Sequence, residues 1–201
     1  MIMNKETVLE LFELYFAVDN DEIVDNDEII SIDDNLKINI NGNCYIRNNR
    51  DLPGKLPFQF GVVVGDFECN YAKVSTLAGF PTRVGSEHSR SQFNIIDNLI
   101  RDFVGGPTEV IGKILASNNP LTSLEGLPKI FNRIQLTYGE NLPLLRLAGH
   151  DVFLEKSPTK LRVILHRYFI ESYTDNASIK KLILKCQKEL IDNGFIGNAS
   201  W

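Results

Sequence analysis

The sequence predicts an α+β chain: a short solenoid of irregular coils, closed at one end by a helix and at the other by a helix pair. Three observations predict it. Residues 107–128, PTEVIGKILASNNPLTSLEGLP, place apolar or small residues at Ile111, Ile114, Ala116, Leu121 and Leu124, with Asn119 among them. That is the leucine-rich spacing L-x-x-L-x-L-x-x-N-x-L, with Ala116 as a small stand-in. Gly79, Gly105, Gly126 and Gly149 recur at intervals of 26, 21 and 23 residues, around the length of one such coil. Segments with a helical apolar stripe flank this region on both sides.

Within the best-matched unit, residues 111–116 are too short and too irregular for a helix. They suit a brief strand whose inward side chains stack on the next coil. Asn119 can bond backbone groups along the stack through its amide. The competing reading is an amphipathic helix, since Leu121, Leu124 and Leu127 are three apart. Pro120, Gly126 and Pro128 break it.

In chain order, residues 1–40 read as an acidic helix-and-strand cap. Asn4 is placed to cap a helix over 4–17, with Val8, Leu11, Phe12, Tyr15 and Phe16 as its apolar stripe. Residues 29–32 and 36–40 are strand-like, joined by a turn at Asp33-Asp34-Asn35. Residues 41–155 carry the leucine-rich-repeat-like coils. Cys44, Ile46 and Asn49 open the series, and the stretch LPGKLPF after them is degenerate. Val64, Phe67, Cys69, Val74 and Leu77 form the next unit, with Ala72 where the Asn belongs. Phe93, Ile95, Asn98, Ile100 and Phe103 follow, then Phe131, Ile134, Leu136, Leu142 and Leu145. Residues 156–201 read as a helical cap. Ser157-Pro158 starts one helix, with Leu161, Ile164, Leu165, Tyr168 and Phe169 on one side. A second helix carries Ile179, Leu182, Ile183, Cys186, Leu190 and Ile191 and stops at Gly194. The three segments form one structural unit, because an open stack needs caps over its end coils.

Phe67-Glu68-Cys69 and the run Leu121-Thr122-Ser123-Leu124-Glu125-Gly126 carry a resemblance. Over residues 41–149 the chain resembles leucine-rich-repeat proteins of large tailed bacteriophages, whose unit reads V-x-G-D-F-x-C-x-x-N-x-L-T-S-L-E-G-x-P. The resemblance implies a recognition scaffold and a phage origin, and no reaction.

Composition narrows the function classes. The net charge is −5, but residues 1–36 hold one base, Lys5, and eleven acids, a balance of −10. The remaining residues therefore carry +5. No apolar run approaches bilayer length, and MIMNKETV does not read as a signal peptide, so the expected location is the cytoplasm, that of a host cell for a phage protein. Cys44, Cys69 and Cys186 contain no C-x-x-C pair and read as free buried thiols. No phosphate loop, nucleophile elbow, zinc motif or dinucleotide fingerprint is present. His88, His150 and His166 are far apart in sequence. The reading is therefore no enzyme, no metal and no cofactor.

The expected function is a non-catalytic protein-protein interaction scaffold, a phage accessory protein acting on a host or phage protein. The expected contact surface is the strand face of the coils together with the polar insertion 84–92, which adds His88, Arg90 and Gln92, with Asp19, Asp21, Asp25 and Asp27 steering a basic partner. One alternative is an acidic nucleic-acid mimic that inhibits a host nucleic-acid-binding or defence protein. A second is an enzyme with an unfamiliar site. The lysines at 180–188 lack interleaved aromatics, which speaks against direct nucleic-acid binding.

Overall fold

The computed structural model describes residues 3–19, 29–46, 52–88, 91–169 and 176–200, with backbone alone at Asp19 and 176–179. In chain order the elements are α1 (Lys5–Tyr15), β1 (Phe16–Asp19), β2 (Ile30–Ile32), β3 (Lys37–Ile40), β4 (Asn43–Ile46), β5 (Gln59–Val63), β6 (Phe67–Glu68) and β7 (Arg83–Val84). They continue with β8 (Ser91–Asn94), β9 (Glu109–Val110), β10 (Gly112–Ala116), β11 (Arg133–Thr137), β12 (Asp151–Glu155), α2 (Thr159–Phe169) and α3 (Asn176–Asp192). Together they form a β-solenoid of about five turns, with three α-helices among the described residues.

Two sheets line the solenoid, where the leucine-rich spacing predicts one strand per coil. The first sheet runs β1-β4-β6-β8-β10-β11-β12 and the second β2-β3-β5-β7-β9. Successive coils pair in parallel in both. The second sheet moves the leading apolar position of each unit. Val64 and Ile111, expected inside, are half-buried, while Val63 and Val110 are fully enclosed. The chain has to turn a corner between the sheets. At Gly112 it does so with φ 153°, and a Cβ there would overlap the carbonyl of Ser91 in the preceding coil.

Buried amides tie coil to coil, as the Asn119 reading expects. Asn98 accepts from the N–H groups of Ala72 and Val74 at 3.1 Å each and donates to the Cys69 carbonyl at 2.7 Å. Asn119 accepts from the Ile100 N–H at 3.1 Å and donates to the Ile95 carbonyl at 2.8 Å. These bonds satisfy backbone groups that no strand ladder reaches. The recurring glycines hold the opposite corner. Ala148 (φ −60°, ψ 131°) followed by Gly149 (φ 89°) is a type II turn, closed by the His150 N–H donating to Leu147. The same turn bond closes at Gly126, from the Leu127 N–H to the Leu124 carbonyl.

Aromatic rings fill the N-terminal half of the core. Phe12, Phe16, Phe67 and Phe93 stack in series at 5.8, 5.9 and 5.9 Å. This stack explains why α1 ends early. The helical stripe read over 4–17 breaks at Phe16, where the chain extends as β1 and pairs antiparallel with β4, sending Phe16 into the stack. Asn4 caps α1 as expected, accepting from the Thr7 N–H at 2.8 Å. The hairpin is as expected too: β2 pairs antiparallel with β3, and the Asp33 carboxylate accepts from Asn35 and Lys37 in its turn. Cys44, Cys69 and Cys186 are buried free thiols, and burial pushes each thiol pKa up.

At the C-terminal end, α2 buries Leu161, Ile164, Leu165 and Phe169. The Ser157 hydroxyl donates back to the Leu154 carbonyl. In α3, Ile183, Cys186 and Leu190 are buried, but Ile191, expected on the apolar side, is exposed. Arg167 and Tyr168 of α2 both bond Glu189 of α3, at 2.7 Å each. Asn198, fully buried, donates to the carbonyls of Gly139 and Leu142 at 2.8 and 3.0 Å. It thereby supplies to the last coil the kind of amide contact that Asn98 and Asn119 supply to earlier ones. No described helix is long and apolar enough to cross a membrane.

Candidate functional site

In a strand, alternate side chains face opposite ways, so each coil sends two residues of the first sheet outward. The register aligns these residues into two rows across the strands. One row is Asn43, Asp66, Gln92, Lys113, Arg133 and Asp151, with the backbone of Asp19 at the register position beyond Asn43. The other is Ala17, Tyr45, Glu68, Asn94, Leu115, Gln135 and Phe153. The described side chains of both rows are half-buried or exposed, whereas Phe67, Cys69, Phe93, Ile95, Ile114, Ala116, Ile134 and Leu136 between them are buried. Seven strands at about 4.8 Å spacing make this face about 29 Å long.

The face is held in place by its own side chains. Asn43 accepts from the Asp66 N–H and Asp66 from the Gln92 N–H, both at 2.8 Å, so each coil fixes the next. Asp66 and Glu68 lie toward the N-terminal end and Lys113 and Arg133 toward the C-terminal end, where Asp151 of the last strand faces Arg133. Glu68 has its carboxyl pKa raised, first by burial and then by Asp66, against a lowering hydrogen bond from Asn94. Arg133 lies 6.0 Å from the Phe153 ring centre and 3.6 Å from the Asp151 carboxylate. Gln135 donates to Glu155 at 2.6 Å.

The residues named from sequence fall unevenly on this geometry. Gln92 lies within the first row. Asp19 ends β1 at the register position opposite Asn43, at the far edge of the same sheet. His88 is exposed in the turn before β8. Arg90, Asp21, Asp25 and Asp27 lie outside the described residues. The insertion itself is shorter than 84–92. Val84 is a buried residue of β7, and Ser91 and Gln92 belong to β8. Ser91 is polar yet buried, with its hydroxyl 3.4 Å from the Val64 carbonyl, so composition alone misassigns it to a loop. The sequence expectation names the strand face but not its outward residues, among them Tyr45, Asp66, Glu68, Asn94, Lys113, Arg133 and Phe153. Their signal was available as the positions flanking each inward pair.

His150 sits at the C-terminal edge. Its ring stacks on Phe131 at 4.0 Å with the planes 20° apart. Burial lowers its pKa below the ordinary 6.5, against a smaller raising bond from the Phe131 backbone. The folded chain therefore binds the proton less readily than the unfolded chain. The stability from this site is complete above about pH 6.5 and is lost as pH falls through the lowered folded value. The melting temperature of the wild type is expected to fall more steeply from about pH 7 to about pH 5 than that of His150→Gln. Parallel slopes would remove His150 from the acid response.

Among the described residues, no group of three or more His, Cys, Asp or Glu is placed to hold a metal ion. Set against protein-family models, curated proteins and solved structures, the chain matches none.

Proposed function

We propose that the protein is a non-catalytic, leucine-rich-repeat-like interaction scaffold, an accessory protein of a bacteriophage that docks on a host or phage protein in the host cytoplasm. The observation that carries this reading is the outward face of the first sheet. It offers two aligned rows of polar, charged and aromatic side chains on rigid strands, so a partner meets many groups without rearrangement. The acidic N-terminal balance of −10 supports steering of a basic partner, an effect that weakens as salt rises.

The test is affinity capture from infected host cells, with cross-linking through Lys113 to locate the contact. Reversing Glu68→Lys together with Arg133→Glu is expected to reduce capture by at least about tenfold with the melting temperature held, since neither side chain is in the core. Replacing 86–90 by a Gly-Ser link is expected to weaken capture without unfolding. Neutralising Asp21, Asp25 and Asp27 is expected to slow association more than it speeds dissociation. If those neutral variants alone abolish capture at every salt concentration, the nucleic-acid-mimic reading replaces this one. Turnover of a substrate by the purified protein would overturn both.

A further inference from the structure

The end of the first sheet is bordered by α2, and between α2 and β12 lies a pocket of about 160 Å³. Val152 and Leu154 of β12 and Leu165 and Phe169 of α2 line its apolar part; Leu154, Leu165 and Phe169 are buried. Arg162 and His166 stand on the rim, both exposed. The helix spacing explains the division. Leu165 and Phe169 are four apart and form one row, and Arg162 and His166 are four apart and form the row beside it. The pocket is thus apolar within and carries a guanidinium, Arg162, and an imidazole, His166, along one lip.

Charge at the lip favours an anion. Asp151 also borders the pocket, but its carboxylate faces Arg133 at 3.6 Å, which offsets its charge. His150 borders it with its pKa lowered by burial. Arg162 presents a planar guanidinium that matches a carboxylate with two parallel bonds. The volume sets the apolar part. A cavity of about 150 Å³ with aliphatic and aromatic walls takes a benzene ring.

We propose that this pocket is a binding site for a small amphiphilic carboxylate, with one phenyl ring or a short alkyl chain between Leu154, Leu165 and Phe169 and its carboxylate on Arg162 and His166. Such a ligand leaves the outward rows of the sheet free except at Asp151 and Phe153, which also border the pocket. The site is therefore separable from the scaffold reading and does not depend on it.

The experiment is an amide-resolved NMR titration of the full chain at neutral pH with phenylacetate and with hexanoate. Phenylacetamide serves as the uncharged analogue and acetate as the ligand without an apolar part. At least one of the two larger carboxylates is expected to give saturable shifts at residues 150–154 and 165–169, with a dissociation constant of about 1 mM, the scale for a ligand of this size. Phenylacetamide and acetate are each expected to bind at least about tenfold more weakly. Arg162→Glu, on an exposed helix face, should leave the melting temperature unchanged and weaken the carboxylate by a similar factor. Leu165→Trp should fill the pocket and abolish the shifts. If that variant does not fold, the Arg162→Glu and amide comparisons decide. The proposal is overturned if neither carboxylate gives saturable shifts at 150–154. It is equally overturned if the amide or the Arg162→Glu variant binds as tightly as the reference, because the charged lip would then contribute nothing.

Discussion

Leu124→Asp should leave no cooperatively folded protein. Leu124 is 1% exposed and sits just before the turn at Gly126, inside the continuous core cluster. Two costs add. Removing the aliphatic side chain forfeits about 2–5 kcal/mol of burial and packing. Placing a carboxylate there costs several kcal/mol more, or forces its protonation. Their sum rivals the whole stability of an ordinary domain, about 5–15 kcal/mol. The adjacent Glu125 is exposed, so Glu125→Gln serves as the matched surface control and should melt like the wild type. A soluble Leu124→Asp protein with an unchanged thermal transition would sink the assignment of this leucine to the coil interior.

Asn98→Ala should be the most damaging loss of a single polar side chain. The amide accepts two N–H groups of the preceding coil and donates to the Cys69 and Ile95 carbonyls in the interior, and to the carbonyl of half-buried Ile96 beside them. Truncation strands the interior groups where water does not reach. At about 1–3 kcal/mol for each group left wholly unsatisfied, a loss of about 3–5 kcal/mol is expected, read as a lower urea midpoint at unchanged slope. Ala72 occupies the corresponding slot one coil earlier, and there the Asn98 oxygen accepts its N–H instead. Asn98→Asp separates the two roles. It keeps the acceptor but sets a carboxylate against the Cys69 and Ile95 carbonyls. Its loss should be large at neutral pH and partly recovered in acid, where the protonated group can donate. A cost below about 1 kcal/mol for Asn98→Ala would show that the amide is not what joins these coils.

Much of this architecture was legible because it is local and repeated. Ile114, Ala116, Asn119, Leu121 and Leu124 are all buried, at the spacing that predicts them. The glycines at 79, 105, 126 and 149 all adopt positive φ, which only a few residue types accept readily. Beyond its β2–β3 hairpin, the second sheet was not legible. Arg83–Val84 and Glu109–Val110 are two-residue strands, too short for any alternation to register. The end of α1 was missed because Phe16 satisfies both the helical stripe and the aromatic stack, and only contacts with Phe67 and β4 choose between them. Asn198 lies far in sequence from Gly139 and Leu142, so the amide that closes the last coil has no local signature. The outward face was half legible. The strand face is legible as a surface and Gln92 through its polar surroundings, while Asp66 and Lys113 follow only from the register, as positions flanking inward residues.

Backbone hydrogen–deuterium exchange of the wild-type protein tests the central structural claim most directly, that side-chain amides staple successive coils into a solenoid. Ala72, Val74 and Ile100 lie outside every strand, yet their N–H groups are held by Asn98 and Asn119. Stapled coils predict that these three amides exchange as slowly as those of Ile114 and Ile134 in the central strands, near the rate set by global unfolding. Exchange of all three at the rate of an open loop, while the strands stay protected, would contradict it.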